Sequence, residues 1–180
     1  GYRRHWVAEH HFTPGVASST PSLLIGQIAA VTDTIRVGSA AVQTGHQTAL
    51  TIVEQFGFLD ALFPGRIDLG LGRSGQRRSE ALATLEARQA RDGAGPPKER
   101  TPREARWEDG LLIPKPFDPT GLFASSKFRH QVGMLQQEAA RSADYDDQVG
   151  DILALIDGTR TTPDGDVVHA IPGEGADVDV

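Results

Sequence analysis

Three apolar segments, HWVAEH (5–10), IRVGSAAV (35–42) and RIDLGLG (66–72), begin about 30 residues apart, the length of a strand plus a crossover helix. That spacing constrains the fold more than any other feature of the chain. The stretches between carry helical signals. Thr20 suits an N-cap and Pro21 the first helical position; Leu24, Ile28 and Val31 then recur at helical spacing. Ala49, Ile52, Val53, Phe56, Leu59 and Phe63 form a second stripe, stopped by Pro64-Gly65. Residues 5–72 therefore predict βαβαβ with buried strands, hence a parallel sheet, open or closed into a barrel.

After Arg73 the regularity breaks. A helix is expected over 79–91. Residues 92–122, which begin DGAGPPKERTPREARWEDG, are rich in Pro, Gly and charge and predict a mobile insertion or lid. Phe128, Val132, Leu135 and Ala139 mark a further helix. Val149, Ile152, Leu153 and Ile156 mark another, capped by Asp144 and closed by Gly158. The tail TPDGDVVHAIPGEGADVDV reads as a turn, a short hairpin and the approach to one more strand. The chain opens on Gly1 and enters a strand at once, so a piece of a longer protein is expected.

The stretch RIDLGLGRSGQRR (66–78) holds a G-x-G-x-x-G at Gly70, Gly72 and Gly75. A dinucleotide fold needs this turn to open a helix, followed about 20 residues later by a strand ending in Asp or Glu. Here that region is DGAGPP, which no central strand tolerates. Gly70, inside the strand, suits close packing of neighbouring backbones. Gly72-Arg73-Ser74, just past it, offers backbone N–H groups, a guanidinium and a hydroxyl to a phosphate.

In a parallel βα array, the loops leaving the C-terminal strand ends share one face, and in barrels that face carries the active site. The first exit carries Glu9, His10 and His11. The second carries Ala40-Ala41-Val42-Gln43 running on to His46, and the third Gly72-Arg73-Ser74. Adjacent histidines on a strand face opposite ways, so both reach one site only if the strand ends there. A lone histidine pair more often has one ring capping the loop and the other satisfying a buried carbonyl, but the position at the strand exits favours a functional role for at least one. A zinc or iron site from Glu9, His10, His11 and His46 is conceivable, but the spacing fits none of the short metal motifs and no third ligand is evident, so no metal is expected. Ala40-Ala41 serves either tight interior packing or a floor, bare of side chains, for a flat ring.

Composition narrows the partners. The formal net charge is -6 with dispersed acidic residues, which disfavours nucleic acid. There is no cysteine, in keeping with a reducing, cytoplasmic setting. No apolar run reaches the roughly 18 residues of a membrane helix, and no signal peptide is expected.

Taken together, AEHHF, VGSAAV and EQF…LD…PGRIDLGLGR, in that order within residues 1–74, resemble the bacterial luciferase-like, flavin-dependent monooxygenase family. DDQVGDILALIDG and AIPGEGADVDV continue the likeness more loosely. The resemblance implies a (β/α)8 TIM barrel of the α/β class, here incomplete over 1–180, covering roughly strands 2 to 4 plus the following insertion. It implies reduced FMN in the barrel mouth, dioxygen and a small organic substrate. His10 matches the family's catalytic histidine. Ala40 and Ala41 match the small pair beneath the flavin ring, often joined by a cis peptide, and Arg73, with Ser74 beside it, matches the phosphate contact. A separate reductase and a homo- or heterodimer are implied too. In relatives the helices matching 20–32 and 48–63 form the dimer interface, where Gly26 and Gly57 would permit close approach; simple packing within the chain is the alternative for both.

Three other functions compete with this one: a deazaflavin-dependent hydride transfer within the same family, a metal-dependent hydrolase on a similar barrel, and a non-catalytic barrel that serves as a dimer partner. QTGHQ (43–47) replaces a more apolar loop of many relatives, so substrate preference does not carry over.

Overall fold

Strand and helix alternate as the spacing requires. In chain order they are β1 (Arg4–Val7), α1 (Pro21–Ala30), β2 (Arg36–Ser39), β3 (Val42–Gln43), a 3-10 turn (Thr44–His46), α2 (Ala49–Leu62), β4 (Ile67–Asp68) and β5 (Leu71–Gly72). Then follow β6 (Arg106–Glu108), β7 (Leu111–Ile113), α3 (Ser126–Gly133) and α4 (Tyr145–Ile156). This computed structural model describes residues 1–73, 104–115, 125–136 and 143–180. The helix expected over 79–91, Ser74, Gly75, Ala139 and much of 92–122 lie outside the described residues.

The chain divides into two units, Gly1–Ser79 with Arg141–Val180, and Glu80–Ala140. In the first, β1, β2 and β4 form a parallel sheet in that order, with Val7 opposite Ser39 and Gly38 opposite Asp68. The two later apolar segments each divide into two short strands. β3 and β5 continue past the breaks as a second parallel pair, Gln43 opposite Gly72. At the tail, where the approach to a further strand is expected, Asp179 makes an isolated parallel bridge to Asp68, and the Leu69 amide donates to its carbonyl at 2.7 Å. Consecutive parallel strands in sequence order, each joined to the next by a helix, are the barrel-type α/β arrangement. β1 departs from expectation. It is exposed for most of its length, with Trp6 half exposed, because it is an edge of this sheet.

The core lies between the sheet and the helices. Val37 and Ile67 from the strands meet Ile25 and Ala29 of α1, Ile52, Val53 and Phe56 of α2, and Ile152 of α4. The helix α2 presents the expected stripe. Its N-cap Thr48 accepts from the Thr51 amide, and the chain turns at Gly65, whose positive φ of 68° suits glycine. Asp60, buried at its end, accepts from the Gly65 amide at 3.1 Å and the Asp177 amide at 3.0 Å. One carboxylate thus ties the helix stop to the tail.

The first helix has the expected span but a different buried face. Pro21, Ile25 and Ala29 are buried, whereas Val31 is 82 % exposed as the C-cap residue. Seven of the nine residues 23–31 are apolar, all but Gly26 and Gln27, so periodicity alone leaves the face open. Contact with α2 decides it, since a Cβ on Gly26 would meet Leu59 Cδ2 at 3.2 Å. A Cβ on Gly57 would run into the Gly173 backbone. Both glycines thus make close packing within the chain possible. In α4, Asp144 caps as expected and Ile152 is buried, but Leu155 takes the inner place expected of Leu153, which is exposed.

In the second unit, residues 106–113, within the stretch 92–122 expected to be a mobile insertion or lid, form an antiparallel hairpin. Asp109 and Gly110 both have positive φ, the signature of a two-residue hairpin turn. The Asp-Gly between RWE and LLI was the signal for it. α3 is capped by Ser125, which accepts from the Phe128 amide. Among the described residues, no helix is long and apolar enough to cross a membrane.

Candidate functional site

All three strand exits are joined by hydrogen bonds at the C-terminal edge of the sheet. β1 ends at Val7, and two residues on Glu9 turns inward and is buried. Its Oε2 accepts from the Gln43 amide at 2.9 Å, while the Gln43 side chain donates to the Glu9 carbonyl at 2.6 Å. Gln43 is paired with Gly72 across β3 and β5, and Arg73 follows directly. Residues 9, 43 and 73, distant in sequence, thereby share one edge.

Glu9 gathers two imidazoles. His11 Nε2 lies 2.8 Å from Glu9 Oε1, and His46 Nδ1 lies 3.5 Å from the same oxygen. The two rings meet edge to face, centroids 5.4 Å apart. His46 is delivered by the 3-10 turn, which is pinned on both sides. Thr44 Oγ1 donates to the Gly72 carbonyl at 3.3 Å, and Gln148 of α4 donates to the Thr44 carbonyl at 3.0 Å. Burial pushes the Glu9 carboxyl up. The hydrogen bonds from His46, His11 and the Gln43 amide, with the charge of His11, outweigh this and hold it below its ordinary value of 4.5.

A carboxyl that titrates lower when folded stabilises the fold above its ordinary value, and that contribution is lost as the pH falls through the folded value. Glu9→Gln is therefore expected to flatten the loss of stability below pH 4.5. Urea midpoints over a pH series check this. Parallel curves for the two proteins would remove Glu9 as the cause.

The expected residues are divided by this geometry. His11, not His10, joins the buried carboxylate. His10 is exposed, and its backbone amide holds the loop by donating to the Ser18 carbonyl at 3.0 Å. The partner of the inward histidine is thus a carboxylate, not a backbone carbonyl. Sequence reading found no third metal ligand, yet Glu9, His11 and His46 place three donor atoms within 4.8 Å of one another. Of the four residues that the sequence offered together, His10 lies outside this group, and the fold brings His46, 37 positions from Glu9, to the carboxylate.

Ala40 and Ala41 follow directly after β2 and are joined by a cis peptide bond. Ala40 is exposed and Ala41 half-buried, with the Ala40 amide donating to the Val7 carbonyl at 2.8 Å. The step therefore presents methyl groups at the mouth of the first two exits. Arg73 is exposed, its guanidinium 5.4 Å from the centroid of the Tyr145 ring, and Tyr145 in turn donates to the Leu71 carbonyl. Gly70 has the packing role. A Cβ there would strike the Ser39 carbonyl oxygen.

Sheet order and site together define a barrel-type α/β protein whose polar site lies at the C-terminal strand ends. A family model described as luciferase-like monooxygenase matches residues 1–95, more than half of the 180 residues, and the chain belongs to that family. It is 57 % identical over 74 residues to the YvbT protein of Bacillus subtilis (strain 168), covering 41 % of this chain and 22 % of that protein. To the luciferase-like monooxygenase of Escherichia coli (strain K12) it is 53 % identical over 85 residues, covering 46 % and 25 %. To the N-acetyl-S-alkylcysteine monooxygenase of Bacillus subtilis it is 49 % identical over 74 residues, covering 41 % and 22 %. The matched stretch thus spans a quarter or less of these relatives. The crystal structure of apo-MsnO8 superposes with a TM-score of 0.56 at 25 % identity, over 96 % of this chain and 36 % of that one.

Proposed function

We propose that this chain is part of a flavin-dependent monooxygenase that uses reduced FMN and dioxygen to oxygenate a small organic substrate. In this reading β1, β2 and β4 are consecutive strands of a (β/α)8 barrel. The observation that carries the proposal is the convergence on one sheet edge of the Ala40-Ala41 step, the two-histidine group around Glu9, and Arg73. These residues suit a flavin. An exposed step bearing only methyl groups admits a flat ring against the backbone, and a guanidinium beside a strand end suits a phosphate.

Bound FMN would supply the electrons that activate dioxygen. The chain's own residues would position it and control protons. Arg73 would hold the phosphate, and Ala40-Ala41 would support the ring. His10, exposed at the same edge, would give or take a proton at a ring nitrogen, work for which an imidazole is suited near neutral pH. Reduced flavin would come from a separate reductase, and the complete protein would be a dimer.

Arg73→Ala in the full-length protein is expected to weaken FMN binding by about 1.5–3 kcal/mol, the worth of a hydrogen bond to a charged group. A fluorescence titration reads this directly, and unchanged affinity would refute the phosphate role. Oxygen uptake on adding reduced FMN, with none on adding a reduced deazaflavin, supports the monooxygenase. The reverse pattern makes the protein a hydride-transfer enzyme.

A further inference from the structure

We propose that Glu9 is a positioning residue that fixes His11 and His46 in opposite tautomers, leaving His46 Nε2 and His11 Nδ1 as the two proton-accepting atoms at the sheet edge. Nothing in the local sequence marks Glu9 for this. It follows from which atoms meet. An ionised carboxylate accepts hydrogen bonds and donates none, so a ring nitrogen bonded to it carries the proton. His11 meets Glu9 Oε1 through Nε2 and His46 meets the same oxygen through Nδ1. A neutral imidazole holds one proton, so the remaining nitrogen of each ring is a lone-pair acceptor.

The carboxylate cannot easily turn away. Its other oxygen is taken by the Gln43 amide, and the Gln43 side chain holds the Glu9 backbone. Burial also keeps water from replacing the His46 ring, since Glu9 is 4 % exposed and the His46 side chain 8 %, while the His11 side chain, 25 % exposed, is held by the shorter 2.8 Å contact. The Nδ1–H form imposed on His46 is the minor one for a histidine side chain in water, so the assignment is distinctive. Turning that acceptor to use in flavin chemistry rests on the function proposed above; the tautomers themselves do not.

The test is nitrogen-15 NMR of the imidazole rings in the 180-residue chain, at about pH 8.5, two units above the ordinary imidazole value. The expected result is a protonated Nδ1 and bare Nε2 for His46, and the reverse for His11. Glu9→Gln is expected to exchange the two ring resonances of His46, as it returns to the Nε2–H form. A wild-type His46 already in that form overturns the proposal without any variant, so a poorly folded Glu9→Gln protein does not blunt the test. Adding one equivalent of Zn²⁺ supplies the opposing outcome. If it binds with both carboxylate-facing nitrogens bare, the cluster is a cation site and the proposal fails.

In the full-length protein, Glu9→Gln is expected to lower kcat roughly tenfold, a part of the roughly 10²–10⁴-fold that a positioned proton-transfer group contributes, with FMN affinity unchanged. An equal loss in both would make Glu9 merely structural and overturn its positioning role. Failure of Arg73→Ala to affect FMN binding would refute the phosphate role and leave the ring tautomers standing, so the two ideas fail separately.

Discussion

Gly70→Ala is expected to destabilise the chain by about 3 kcal/mol, the upper range for forcing extra atoms into a packed interior. The new methyl would run into the carbonyl oxygen of Ser39. Neither side can yield cheaply. Ser39 Oγ donates to the Gly70 carbonyl at 2.9 Å and accepts from the Gly70 amide at 3.0 Å, while the Val42 amide donates to the same carbonyl at 2.8 Å. Backbone conformation is not the cause, because Gly70 is absent from the residues with positive φ. Gly72→Ala supplies the control. Its methyl would meet the Ala41 Cβ at 3.1 Å, a side-chain atom at a half-buried surface. Its cost is expected to stay below about 1 kcal/mol, part of it offset by the lower entropy of the unfolded chain. Urea unfolding of both variants decides the matter. Equal losses would show that the glycines serve one purpose, as in a phosphate loop, and not two.

Asp68→Ala is the second large effect, about 3 kcal/mol, at the low end for breaking a buried ion pair by removing one partner. Asp68 is buried in β4 and accepts from the Trp6 indole at 2.8 Å and the Arg36 Nε at 2.7 Å, with Arg4 at 3.4 Å. It thus bonds all three strands of the sheet to one carboxylate. Removal would leave an indole N–H and a guanidinium without their shared acceptor. The low end applies because the Arg36 side chain keeps 25 % exposure and also reaches Asp179 at 3.0 Å. Asp68→Asn keeps an acceptor for Trp6 and should cost less. Chemical denaturation of the alanine variant within about 0.5 kcal/mol of wild type, the range of ordinary surface changes, would show that this network contributes little.

Much of the architecture was legible in the chain because it is written in short-range chemistry. The 30-residue alternation, Pro21 at a helix start, the Pro64-Gly65 stop and the cap at Asp144 act over one or two turns, so the sequence displays them directly; Thr20, expected to cap α1, makes no side-chain cap bond. The three strand exits were legible for the same reason, and with them the places where Glu9, Ala40-Ala41 and Arg73 would emerge. The Asp109-Gly110 turn is equally local, but it sits among charged residues and prolines that mask the hairpin signal.

What the sequence by itself determined is the order of strands and helices, the points at which they stop, and the residue types brought to one edge. Only tertiary structure decided that His11 and not His10 faces Glu9, that His46 completes the group, that α1 buries Ile25 and Ala29 in place of Val31, and that Gly70 yields its space to Ser39. The physical reason is range. Capping and periodicity depend on neighbours a few residues away, whereas a carboxylate shared by rings 2 and 37 positions distant depends on strand register, which exists only once the sheet has formed.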